Sequence, residues 1–364
     1  MQRRSLLSGS LSLLAAPMLN VGRCRLFAGE TSRAYSVRAI DLIANSNVID
    51  MLGLPTLDWS LLDRWESDPA AFDEAEFHKL RSSGISVFHP AVAFDGECTY
   101  DLTREWFTKW NNLISRHPNY FLRVDGPKDL PRARQERKIG IILGMQDANH
   151  VRSGEDIDAF HGMGQRLTQI TYNSLNRLGA GCHVAHDGGL RAYGHQIVRR
   201  MNESRMAIDI SHCGERTSLE VIESSRKPVL ITHSNCRALA PPVSRCKSDE
   251  VIAAAARTGG VIGLTSIRHF VRATNPVTIE DVLDHFDHAV KLAGVEHVGV
   301  GSDTDLNGRD SAGAPLLYDV AGLNHPQRMY DLTEGLIRRG YTDRHIEAML
   351  GGNFERALSA IWSA

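Results

Sequence analysis

Met206-Ala-Ile-Asp-Ile-Ser-His212, Pro228-Val-Leu-Ile-Thr-His233 and His297-Val-Gly-Val-Gly-Ser-Asp303 decide the fold. Each is a short aliphatic run that closes on a side chain able to do chemistry. The apolar residues follow one another with little alternation, as in parallel strands buried on both faces. Five further runs share this character: Asn47–Leu52, Gly84–His89, Ile139–Met145, Leu167–Tyr172 and Gly260–Thr265. With Met206–Ser211, Pro228–His233 and His297–Ser302 they make eight. Helical periodicity fills the intervals. Ser60–Ser82 is one such stretch, and Tyr100–Arg116 carries Trp106, Trp110 and Leu113 at helical spacing. Tyr193–Asn202 follows, then Ser248–Arg257 behind a Ser-Asp-Glu start and Ile279–Leu292 behind Thr278 as N-cap. Eight strands alternating with helices predict a closed (β/α)8 TIM barrel, an α/β fold. An open doubly wound sheet that binds a dinucleotide would carry Gly-x-Gly-x-x-Gly after a strand, and the chain has none.

The chain has 364 residues, 42% hydrophobic and 23% charged, which suits one large soluble barrel. Its 41 basic and 43 acidic residues leave a net charge of −2, with no long basic run. Nucleic acid is therefore not an expected partner. The N-terminus differs from the rest. Arg3-Arg4 stands just ahead of a broken apolar stretch from Leu11 to Leu19, the pattern of a twin-arginine export signal. That predicts a periplasmic or exported protein. The stretch is too short to span a bilayer, so no stable membrane anchor is expected. Residues 1–36 are read as signal and disordered leader, and residues 37–364 as a single barrel domain. The six cysteines, Cys24, Cys98, Cys182, Cys213, Cys236 and Cys246, include no Cys-x-x-Cys pair. One or two disulfides are compatible with an oxidising compartment, and a homodimer is compatible with the composition.

In such a barrel the active site lies at the carboxyl ends of the strands. His212, His233 and Asp303 close the fifth, sixth and eighth runs. His89 closes the second, Gln146 and Asp147 the third, Tyr172 and Asn173 the fourth. The longest irregular stretch, Asn173–Leu190, is rich in Gly, Asn and His and follows the fourth strand, where substrate contacts usually sit. Two imidazoles and a carboxylate suit Zn²⁺ or a similar ion, which would acidify a bound water to make a nucleophile. Cys213 and Cys236 also fall near the mouth and are read as small buried residues.

Six ordered motifs resemble the renal (membrane) dipeptidase family of amidohydrolase-type metal-dependent hydrolases. They are Asp209-Ile-Ser-His, Pro228-Val-Leu-Ile-Thr-His-Ser-Asn, Arg245 before Ser248-Asp-Glu, Gly259-Gly-Val-Ile-Gly, Gly299-Val-Gly-Ser-Asp and Gly351-Gly-Asn-Phe. The resemblance runs from about Val48 to Phe354 and implies a (β/α)8 barrel with a two-zinc site that hydrolyses dipeptides, often with a D residue at the C-terminal position. Carried over by motif, His212 and His233 match the two His ligands of one zinc. Arg245 matches the arginine that grips the substrate carboxylate, a bidentate role that suits a guanidinium. Asp303 matches the acidic residue that handles the catalytic proton.

Four positions depart from the pattern. Leu52 and Leu54 stand where the family's first-strand His-x-Asp supplies ligands to the other zinc. Gln146 replaces the bridging Glu. Tyr172 replaces the His that polarises the substrate carbonyl, and its hydroxyl can still donate to an oxyanion. The expectation is a metallodipeptidase or related amidase holding one ion, with Asp303 and Tyr172 catalytic and with Arg245 and Tyr172 binding substrate. His89, Asp50, Asp147, His183 and His186 are conceivable replacement ligands. Two alternatives remain: the same barrel acting on a lactone or secondary metabolite, and a non-catalytic periplasmic peptide-binding or maturation protein.

Overall fold

The apolar runs become parallel strands. The computed structural model describes residues 23–25, 33–96, 99–240, 242–310 and 316–363. The first strand is Ile49–Asp50, and the second comes in two pieces, Val87–Phe88 and Ala91–Val92. The third is also in two pieces, Ile139–Ile141 and Leu143–Met145, and the fourth is Gln165–Gln169. Ala207–Asp209, Val229–Ser234, Ile262–Leu264 and Val298–Val300 complete the set. Each pairs in parallel with the next, and Val300 of the eighth pairs with Asp50 of the first, so the sheet closes on itself. The second and third strands keep one register across their breaks: Val87 faces Gly140, Phe88 faces Ile141, Ala91 faces Gly144 and Val92 faces Met145. His89 and Pro90 occupy the gap, where Pro90 has no N–H to give to a ladder. The TIM-barrel expectation holds.

Among the described residues, one strand of the barrel sheet was not foreseen. Phe121–Arg123 pairs with Ile139–Ile141 on the edge that the fourth strand does not reach. The Ser60–Ser82 helix is also two helices, Trp59–Ser67 and Glu74–Ser82, with a 3-10 turn at Pro69–Ala71 between them. Pro69 cannot continue a helix, and the side chains of Asp68 and Asp73 accept from Ala70 N and Glu76 N to start new ones. The other four helical stretches form within two residues of the expected ends, and Thr278 and Asp281 make a full capping box.

The C-terminal helix, Asn353–Trp362, buries Phe354, Leu358, Ile361 and Trp362 against Ile49, Val87, Leu167, Leu230 and Val261. Those residues lie at the strand starts, so the carboxyl ends stay available for the site. Residues 34–36, placed in the leader by the sequence, are part of the fold. Tyr35 is buried, and its hydroxyl donates to Asp331 Oδ2 at 2.9 Å. Residues 34–36 pair antiparallel with Arg23–Arg25. The rest of the leader, including the twin arginines, lies outside the described residues. Among the described residues no helix is long and apolar enough to cross a membrane.

Strands six, seven and eight approach so closely that side chains are excluded at two points. A Cβ on Gly263 or on Gly301 would overlap the carbonyl oxygen of Thr232, next to His233. Gly301→Ala therefore has to push backbone against backbone, which costs about 2 kcal/mol or more. A clear fall in the urea midpoint is expected, and an unchanged midpoint would contradict this packing.

Candidate active site

His212 follows the fifth strand and His233 lies within the sixth. Their Nε2 atoms face each other at 3.1 Å in a buried setting. The protons sit at the far side of each ring. His212 Nδ1 donates to Asn173 Oδ1 at 2.7 Å, and that oxygen also accepts from the Cys182 thiol. His233 Nδ1 lies 2.8 Å from Thr232 Oγ1, whose own proton goes to Asp209 Oδ2 at 2.6 Å. The hydroxyl must then accept, so the proton is on His233 Nδ1. Both Nε2 atoms are left with bare lone pairs pointing at each other. Burial, and then the Arg245 charge, hold both imidazoles well below the usual histidine range, so neither relieves the repulsion by protonating near neutrality.

Asp209 arranges this pair, and sequence reasoning gave it no role beyond its motif. Its carboxylate accepts from Ser211 N at 2.9 Å, Ser211 Oγ at 2.6 Å, Thr232 N at 3.0 Å and Thr232 Oγ1 at 2.6 Å. Burial pushes its pKa up while these four donors pull it down. Arg245 ties the same two strand ends. Only 2% exposed, it donates from Nη1 to Ser211 O and from Nη2 to His233 O, both at 2.8 Å, and its Nε has no partner. The sequence placed Arg245 at the substrate carboxylate; the structure adds a bracing role and leaves three of the five guanidinium N–H groups unspent by these bonds.

Tyr172 stacks on His212, with ring centroids 4.1 Å apart and 25° between planes. Burial, then the nearby Asp303, raise its phenol pKa, so it stays a donor. Asp303 adopts φ +60° and gives its N–H to Leu52 O at 2.9 Å. Its Oδ1 accepts from Arg309 Nη2 at 2.8 Å. Burial raises its carboxyl pKa against the opposing charges of Arg309 and Arg245. Arg309 was missed because it sits in a loop beyond the last barrel strand, with no motif around it.

The altered positions stay altered in space. Leu52 and Leu54 are buried apolar residues, and Gln146 Nε2 is spent on Ala91 O at 2.9 Å. The suggested replacements are committed elsewhere. Asp50 accepts from Ser302 N and Oγ and pairs with Arg328. Asp147 accepts from Phe94 N and Asn149 N, and burial pushes its carboxyl up to about 7. His89 Nδ1 lies 2.9 Å from Ile142 O, and burial lowers its pKa to about 4. His183 and His186 are exposed. Among the described residues no three His, Cys, Asp or Glu side chains gather where they could hold a metal ion. A two-ion centre does not fit these residues. One cation between the two lone pairs does. Cys182, Cys213, Cys236 and Cys246 are buried free thiols, and burial raises Cys213 to about 11, which leaves no reactive thiolate there.

Residues 37–363 match the profile of the membrane dipeptidase family, peptidase family M19. An uncharacterised dipeptidase of Schizosaccharomyces pombe, C965.12, is 30% identical over 265 residues, covering 70% of this chain and 60% of that protein. Dipeptidase verJ of Clonostachys rogersoniana is 29% identical, covering 62% of this chain and 56% of that one. The alignments thus span less than two thirds of either dipeptidase. Among solved structures, an amidohydrolase from Pseudomonas aeruginosa superimposes with a TM-score of 0.76 at 26% identity, covering 89% of this chain and 99% of that one. The probable dipeptidase PvdM from Pseudomonas aeruginosa shares the fold, with a TM-score of 0.74 at 20% identity over 89% of this chain and 97% of that one.

The tautomers depend on Asp209 being an acceptor. Asp209→Asn frees the Thr232 hydroxyl to donate to His233 Nδ1, which moves the ring proton to Nε2. Long-range ¹⁵N–¹H spectra of histidine-labelled protein should show His233 changing from the Nδ1–H to the Nε2–H form. An unchanged tautomer would break the relay from Asp209 through Thr232.

Proposed function

The chain belongs to the membrane dipeptidase family, and from that premise we propose that it is a metal-dependent hydrolase of dipeptides or of related amides bearing a free carboxylate. The facing Nε2 atoms of His212 and His233, 3.1 Å apart with both protons on Nδ1, carry this reading. These two nitrogens would hold a single divalent ion, and zinc suits imidazole ligands. When bound, such an ion supplies Lewis acidity to a carbonyl and lowers the pKa of water.

The chain's own groups do the rest. Tyr172, stacked on His212 and held protonated, is placed to donate a hydrogen bond to an oxygen that gains charge during the reaction. Asp303 is the carboxylate available to take a proton from the attacking water and pass it to the leaving nitrogen. Arg245, with N–H groups left over, favours a substrate that carries a carboxylate. The buried strand ends around these groups limit bulk water and strengthen each interaction. Export to the periplasm is part of the same proposal, supported by Arg3-Arg4 and the Leu11–Leu19 stretch.

One observation favours a second reading, a non-catalytic protein that holds a peptide. Two imidazoles are one ligand short of the usual three-ligand catalytic zinc site among the described residues. Metal content per chain, measured with turnover of a dipeptide panel that includes D residues at the C-terminal position, separates the two. The hydrolase reading predicts one ion per chain, its loss in His212→Ala and His233→Ala, and a fall in kcat/KM of at least about 100-fold in either variant. Metal-free wild-type protein that cleaves no dipeptide even with added zinc would sink the hydrolase reading and support the second.

A further inference from the structure

Two buried carboxylates lie close together where the first and eighth strands meet. Asp50 accepts from Ser302 N at 2.7 Å and Ser302 Oγ at 2.6 Å, and Asp303 is the next residue. Each carboxylate is met by its own guanidinium. Arg328 Nη2 lies 3.4 Å from Asp50 Oδ2, and Arg309 Nη2 lies 2.8 Å from Asp303 Oδ1. The second pairing differs in kind from the first. Arg309 Nε also donates to the backbone oxygen of Asp303 at 2.8 Å, so one guanidinium grips the side chain and the main chain of a single residue. That residue is at φ +60°, a left-handed conformation that costs a non-glycine residue about 1 kcal/mol or more and persists only where surrounding contacts impose it. Leu52 O, taking the Asp303 N–H, is the other contact that imposes it.

Arg309 is itself seated. Its N–H lies 3.0 and 2.9 Å from the two oxygens of buried Asp319, and Asp310 N donates to the same carboxylate at 2.9 Å. Gly308, just before it, is at φ +93°, and a Cβ there would press on that carboxylate. The Arg309 side chain is 33% exposed, unlike the buried Arg245 and Arg328. Its bonds to the side chain and backbone of Asp303 place it at the mouth.

We infer that Arg309 is a positioning residue for Asp303: it locks the carboxylate in its left-handed conformation through one oxygen and the backbone, and it supplies the fixed positive charge that balances that carboxylate at the mouth. The role is stated for the hydrolase reading, in which Asp303 handles the proton. The groups that act on Asp303 are Arg309, Arg245, Asp50 and Tyr172, and Asp50 in turn carries Arg328. Burial and Asp50 push the Asp303 pKa up, while Arg309 and then Arg245 oppose them. Removing Arg309 must therefore drive it further up, and the ionised base retreats to higher pH.

The test uses the full-length protein as purified, labelled with [¹³C]carboxyl aspartate, with Asp303→Asn to assign the Asp303 signal. Arg309→Gln should raise the Asp303 titration midpoint by at least about one pH unit. On a dipeptide, the acid limb of kcat should move the same way, and kcat at pH 7 should fall at least about tenfold with KM changed less than about threefold. Arg309→Lys keeps the charge and loses the fork, so its midpoint should lie between the two. A folded Arg309→Gln with an unmoved midpoint overturns the inference. So does a rise in KM at constant kcat, which would make Arg309 a direct substrate contact. If Arg309→Gln does not fold, Arg309→Lys decides alone: an intermediate upward shift supports the role, and an unmoved midpoint with unchanged kcat overturns it. The titration needs no turnover, so an inactive wild type would sink the hydrolase reading while the spectra still decide the effect of Arg309.

Discussion

The carboxylate of Asp209 receives four hydrogen bonds from two adjacent strand ends, and the arrangement of the mouth depends on it. Through Thr232 it dictates which nitrogen of His233 keeps the proton. Through Ser211 it fixes the backbone that carries His212. Arg245 closes the same junction from its own loop by taking the carbonyls of Ser211 and His233. Donors and acceptors of two strand ends are thus largely spent on each other, and the two Nε2 lone pairs and the remaining Arg245 N–H groups are left over. Buried polar networks of this kind are stable only when each member is satisfied. The members left unsatisfied are the groups to which a bound partner would be drawn.

Charge at the opposite side of the mouth is handled differently. Leu52, Leu54 and Gln146 offer no anionic donor, and the acids that do lie there, Asp50 and Asp303, are each matched to a guanidinium. A fixed guanidinium binds a carboxylate without desolvating an ion at each cycle, and its fork sets direction as well as charge. The site is therefore asymmetric: neutral imidazoles on the fifth and sixth strands, and ion pairs on the first and eighth. This asymmetry leaves bare imidazole nitrogens on one side and compensated carboxylates on the other.

Much of the architecture was legible in the chain. Parallel strands buried on both faces must be continuously apolar, so eight such runs announced the barrel. The residues closing those runs, His212, His233, Tyr172 and Asp303, announced the mouth. Phe121–Arg123 escaped because its apolar run is cut by Arg123 and Asp125, unlike the longer aliphatic runs around the other strands. The break in Ser60–Ser82 was written in Pro69 and its flanking aspartates, although the amphipathic spacing continues across it.

By itself the sequence determined the fold, the strand ends on which chemistry can stand, and the neutral character of Leu52, Leu54 and Gln146, because these follow from period, composition and residue identity along the chain. Only the tertiary structure decided which of those residues act together. Asp209 as the hub, Arg245 as a brace and Arg309 as the partner of Asp303 are relations across strands or around a loop. Each depends on the distance and angle between side chains whose separation in sequence carries no periodic signal. The two imidazoles illustrate the division. Twenty-one residues apart in the chain, they are two histidines in similar motifs; 3.1 Å apart in space, with both protons turned away, they become a facing pair of bare nitrogens.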